Sequence, residues 1–166
     1  GFSGVAIRDD RFFALEVLRN VLAGMGGRLF QSVREEIPLV YTVTAFNIAL
    51  RRGGAFFLYA ATSREKEKEA QDRLLVELSK VRARRITEEE LRAAKAYCVG
   101  SHAMALQGNL AVAYSYLHHV IAGRGPEAIL EYDRKIEEVS LDAVRSAARD
   151  IIDLDQYAVG IVRGTP

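Results

Sequence analysis

Cysteine is nearly absent from this chain. Cys98 is the single example in 166 residues, which excludes an internal disulfide framework and any multi-cysteine metal site. A charge bias is missing too. Lys+Arg 23 stand against Asp+Glu 22, a net charge of +1, which gives no pull toward nucleic acid or anionic lipid. No apolar run approaches the ~20 residues of a membrane span, and the charged stretch 64–73 interrupts any such reading. Several catalytic signatures are also lacking. Gly27 is followed by Arg28-Leu29 where a phosphate loop needs Lys-Ser/Thr, and Leu29 stands where a dinucleotide fingerprint needs its third glycine. No GxSxG elbow occurs, and neither HExxH nor HxxEH is present. His118 and His119 are adjacent, so on a helix they project about 100° apart. His102 lies on a different predicted helix. A zinc site built by this chain alone is not expected.

What is present is a core. The chain is 49% hydrophobic and 27% charged, which excludes a disordered tail. One domain is the default at this length, and a chain of ~150 residues buries roughly two-thirds of its unfolded surface.

The pattern reads element by element. Gly1–Ile7 is the tail of a strand or a loop. Asp9 or Asp10 is placed to cap a helix whose broad apolar face includes Phe12, Leu15, Leu18 and Leu22, and Gly24, Gly26 and Gly27 end it. A short helix over about Arg28–Glu35 follows, closed by Pro38. Leu39–Leu50 and Ala55–Thr62 read as two strands around the turn Arg51-Arg52-Gly53-Gly54, an antiparallel hairpin. Ser63–Arg85 is a surface amphipathic helix with the stripe Leu74, Leu75, Leu78 and Val81. Thr87-Glu88-Glu89-Glu90 is a capping box opening a helix to about Leu106. Gly108-Asn109 breaks it before a helix over Leu110–Ala122. Pro126 suits a first helical position, Glu127–Glu138 is helical, and Ser140 caps a helix to about Ile152. Gln156–Arg163 reads as a closing strand. Strands and helices come in blocks, which predicts an α+β fold: an antiparallel β-sheet packed against several α-helices.

Candidate chemistry is sparse. Cys98, mid-helix, has no local base or cationic neighbour and reads as a small packed hydrophobe. Lys80, Arg82, Arg84 and Arg85 read as cations complementing a helix end. Arg34 and Tyr41 stand seven residues apart, one ending a short helix and the other opening a strand. A guanidinium fork and a phenol converging on one spot would stabilise a carbonyl or a developing oxyanion. The ordinary alternative is a surface ion pair for Arg34 and a packed aromatic for Tyr41.

The segment ALEVLRNVLAGMGGRLFQSVRE, Ala14–Glu35, resembles the second half of the M16 (pitrilysin-like) zinc metallopeptidases, whose wording is close to ALxVLNxxLGGGMSSRLFQxVREKxGLAYSV. Ile86–Lys95, Val139–Val144 and Tyr157–Val162 are similar to later segments of the same family. Two departures stand out. Pro38-Leu39-Val40-Tyr41 replaces Gly-Leu-Ala-Tyr, and Gly24-Met25-Gly26-Gly27 lacks the loop hydroxyls.

The resemblance implies half of a peptidase unit of the LuxS/metallopeptidase-like kind, in which two homologous α+β halves enclose a chamber. One half carries HxxEH and zinc. The other supplies an arginine and a tyrosine to the peptide carbonyl, and these map onto Arg34 and Tyr41. Residues 1–166 are then expected to be a single C-terminal-type domain, truncated at its N-terminus and lacking upstream strands. It would be the chamber-closing half of a zinc endopeptidase, inactive and zinc-free alone. Its partners would be the zinc-binding half and a peptide, with neither nucleic acid nor membrane. The alternative is a non-proteolytic scaffold or assembly subunit with the same fold. Exposed sheet edges and the apolar faces of 110–122 predict self-association as a homo-oligomer. A soluble protein is expected, with its compartment open.

Overall fold

A computed structural model describes residues 1–24, 26–35, 38–83 and 85–164, with the side chains of residues 34 and 35 outside that description. The α+β expectation holds. Three strands, β1 (Phe2–Gly4), β2 (Thr42–Ala49) and β3 (Gly54–Ala61), form an antiparallel sheet in the order β1-β3-β2. The hairpin is in the register Phe46↔Phe57 and Asn47↔Phe56, so Val43, Ala45, Phe56, Leu58 and Ala60 share the core face. Phe46, Ile48 and Tyr59 face the other way and remain exposed, with Phe46 stacked on Phe57 at 4.8 Å. The hairpin can close this tightly because Gly54 has no side chain. A Cβ there would lie 2.4 Å from the carbonyl oxygens of both Ile48 and Val5.

Helix α1 (Phe12–Ala23) lies across the core face. Its Leu15, Val17, Leu18 and Leu22 are fully buried, each worth about 1.5–3 kcal/mol against exposure. The turn α2 (Arg28–Phe30) runs into a π-helical turn, Gln31–Glu35. Around α1 pack α4 (Glu88–Ala105), α6 (Ala128–Glu137) and α7 (Leu141–Ile151). Helix α3 (Glu67–Arg82) covers α7 and the π turn, and α5 (Asn109–Ile121) touches α6. The capping box closes as read: the Glu90 amide donates to Thr87 Oγ1 at 3.2 Å and the Thr87 amide donates to Glu90 Oε2 at 2.8 Å. Ser140 caps α7.

Several local expectations need correction. Helix α1 starts at Phe12 after Arg11, with no side-chain cap. Asp9 is spent one turn earlier, accepting from the Arg11 amide and guanidinium at 2.8–2.9 Å. The helix expected over Arg28–Glu35 changes hydrogen-bond register after Phe30. Pro126 stays in the turn before α6. Gln156–Arg163 is not a strand. It docks on the chain start through one reciprocal pair, Gly1 N–H to Ala158 C=O at 2.8 Å and Ala158 N–H to Gly1 C=O at 2.9 Å. A strand needs a ladder, and β1 is only three residues long. Helix α5 buries none of its residues in this chain.

Candidate functional site at the turn between α2 and β2

The sequence pair sits on either side of one short connection. Arg34 belongs to the π-helical turn; its guanidinium lies outside the described residues. Val33, its neighbour, is fully buried, as is Leu29 one turn earlier. The Val33 carbonyl accepts two amides from beyond the turn, Leu39 N–H at 3.0 Å and Val40 N–H at 3.3 Å. Leu39 and Val40 are themselves buried. Those two bonds remove the pair from the β2 ladder, which explains why the strand begins at Thr42 and not at Leu39 as its composition suggests. The Thr62 hydroxyl donates to the Leu39 carbonyl at 2.5 Å, and Lys66 Nζ donates to the Pro38 carbonyl at 2.8 Å.

Tyr41 follows directly. Its amide donates to the Ala61 carbonyl at 2.8 Å, extending the hairpin by one bond. The residue is 73% exposed. The phenol has no hydrogen-bond partner among the described residues. A large aromatic held out in solvent between buried backbone anchors is not a packed aromatic, so the ordinary reading of Tyr41 fails. The backbone thus ties the turn that carries Arg34 to Leu39 and Val40, the two residues before Tyr41.

The glycine loop before α2 is tied down from the opposite side. Gly26 has a φ of +79°, and the Gly27 amide donates to the Gly24 carbonyl at 2.7 Å. Arg28 then reaches the start of α4. Its Nε donates to Glu90 Oε1, and its Nη2 donates to Glu90 Oε2 at 2.7 Å and to the Arg85 carbonyl. Burial would raise the Glu90 carboxyl, but Arg28 and the Thr87 amide together hold it below the usual carboxylate range. Glu90 therefore serves the helix cap and the glycine loop at once. Sequence reasoning assigned Glu90 only to the cap and Arg28 to nothing. Their separation of 62 positions leaves no local signal.

The remaining candidates are structural. Cys98 is buried and free. It accepts from Asn20 Nδ2 at 2.8 Å, and burial, helped by the Glu16 charge, pushes its thiol up to about 11. Burial likewise raises the Tyr132 phenol beside it. His102 Nδ1 pairs with Asp133 Oδ1 at 2.8 Å, while His118 and His119 stand 5.8 Å apart, ring to ring. Among the described residues no group of three His, Cys, Asp or Glu could hold a metal ion. These residues do not fit a zinc site, and no metal-dependent step is assigned to them. No helix among the described residues is long and apolar enough to cross a membrane.

The profile described as the peptidase M16 inactive domain matches residues 1–98. The chain is 27% identical over 164 residues to the uncharacterized zinc protease YmxG of Bacillus subtilis (strain 168), covering 98% of this chain and 40% of that protein. The chain thus spans about two-fifths of that relative's length. Among solved structures, a protease from Helicobacter pylori superposes with a TM-score of 0.81 at 16% identity, covering 92% of this chain and 37% of that one. A chain of Complex III2 from Candida albicans superposes with a TM-score of 0.80 at 17% identity, covering 91% and 38%. At these identities the two structures speak for the fold alone.

Proposed function

We propose, for a chain that belongs to the peptidase M16 inactive-domain family, that its work is to close a peptide-binding chamber against a zinc-carrying half. In that reading the Arg34 guanidinium and the Tyr41 phenol hold the carbonyl oxygen of the bond to be cut. Zinc in the complete enzyme would belong to the other half, and the substrate would be a peptide.

The observation that carries this reading is Tyr41. The residue is 73% exposed and its hydroxyl is unpartnered among the described residues, yet its amide is bonded to Ala61 and the two residues before it to Val33. A donor held in place before its acceptor arrives loses little entropy when it binds. As negative charge develops on the carbonyl oxygen, a phenol and a guanidinium each stabilise it more strongly than they stabilise the ground state.

The test is made in the intact protein, with both halves present. Arg34→Ala and Tyr41→Phe are each expected to lower kcat by about tenfold or more, with a smaller change in KM, since a lost oxyanion donor costs about 3 kcal/mol. Unchanged kcat in both variants would overturn the reading and leave the scaffold role.

A further inference from the structure

A cleft lies away from the α2–β2 turn. It has a volume of about 470 Å³ and is walled by the segment before α1, the loop between α5 and α6, one face of α6 and the start of α7. Three cations line it from three different elements: Arg8, Arg124 and Lys135. None of the three makes an ion pair within 4 Å among the described residues, although the charges of Glu131 and Glu16 act on Arg124 from further away.

The carboxylates of the same wall are in part committed elsewhere. Asp9 is gripped by Arg11 at 2.8 Å, which holds it down at about 2. Glu131 and Glu138 are both taken by Arg134, at 3.7 and 2.5 Å. Neither Arg11 nor Arg134 lines the cleft. One guanidinium cannot neutralise two carboxylates, so among the described residues Asp10 and one charge of the Glu131–Glu138 pair face the three cations, which keep a small positive excess.

The cations are also positioned. The Arg124 guanidinium lies 4.8 Å over the Phe12 ring and 4.7 Å over the Phe13 ring, a contact that fixes its plane without neutralising its charge. Arg8 packs its guanidinium against Gly123, where an added Cβ would lie 3.6 Å from Arg8 Cζ. Like charges sharing one wall repel, and an anion between them relieves that repulsion. Two guanidinium forks and an ammonium match the several oxygens of a carboxylate or a phosphate.

From this arrangement we infer that the cleft bounded by Arg8, Arg124 and Lys135 is a binding site for a small oxyanion, carboxylate or phosphate. It is independent of the proposed role of Arg34 and Tyr41.

The test is calorimetric titration of the protein with sodium phosphate and, separately, with sodium N-acetylglycinate, at constant ionic strength. Saturable one-to-one binding of at least one probe is expected, weakened about tenfold in Arg8→Gln and in Lys135→Gln. Neither residue makes the aromatic stack, so both variants should keep the parent melting temperature. Arg134→Gln, which releases two carboxylates toward the cations, should weaken binding as well. Arg92→Gln, on α4 and outside the cleft, should not. Binding of phosphate alone assigns the site to phosphate; binding of N-acetylglycinate alone assigns it to a carboxylate; binding of both supports the shared chemistry. Heats that do not saturate with either probe, or affinities unchanged in both Arg8→Gln and Lys135→Gln, overturn the inference.

Discussion

Arg28 grips Glu90 with two nitrogens, Nη2 reaching Oε2 at 2.7 Å, and so pins the glycine loop to the first turn of α4. Both side chains are mostly buried, at 17% and 27% exposure. Stripping one partner therefore strands a charge in a low-dielectric position. Arg28→Ala and Glu90→Ala are each expected to destabilise the fold by about 2 kcal/mol. Urea denaturation of the two single variants and the double variant should return a coupling of about 1 kcal/mol or more. Additive effects would mean that the pair is not a working contact.

The same carboxylate sets an acid sensitivity. Its pKa is lowered in the folded state, so its stabilisation is complete above the ordinary glutamate range and is lost as pH falls through the lower folded value. The wild type should lose stability below about pH 4 more steeply than Glu90→Gln, whose pH profile should be flatter in that window. Parallel acid limbs in the two proteins would contradict this.

Tyr41 should be expendable for folding. The residue is 73% exposed and its hydroxyl has no partner among the described residues. Tyr41→Phe is expected to shift the unfolding free energy by no more than about 0.5 kcal/mol. A loss well above that in a denaturant titration would reveal a structural task for the phenol.

Leu29 presents the opposite case. It is fully buried beneath the turn that carries Arg34. Leu29→Ala should cost about 3 kcal/mol, from lost burial plus the cavity left behind. Chemical denaturation at neutral pH measures it.

Cys98 should be inert in the folded protein. It is buried, its thiol is pushed up to about 11, and Asn20 donates to it. Ellman's reagent at pH 8 is expected to react only after denaturant is added. Rapid labelling of the native chain would contradict the burial.

How much of this was legible from residues alone depends on the range of the interaction concerned. The hairpin and the two capped helices α4 and α7 rest on neighbours a few positions apart, and the sequence shows them directly. The π turn was not legible, because α and π registers differ by one residue in the hydrogen-bond partner and share the same composition. Strand β2 begins three residues later than the composition of Leu39–Leu50 suggests, since nothing in Leu39-Val40-Tyr41 announces that Val33 will claim two of their amides. Gln156–Arg163 alternates like a strand, yet it finds a single reciprocal pair at Gly1. At the site, Tyr41 could be named from its wording but its exposure could not. The Arg28–Glu90 grip was invisible because its ends meet only after the whole hairpin and α3 have folded between them.

One carbonyl taking two amides has an evolutionary corollary. The Val33 carbonyl ties Leu39 and Val40 back to the turn that carries Arg34, so the two ends of this connection are fixed relative to each other. A residue inserted or deleted inside it would slide Arg34 against Tyr41 and unseat a core leucine in the same stroke. Length changes in related chains should therefore collect in the hairpin tip or after α5, and spare these few positions even where their side chains differ.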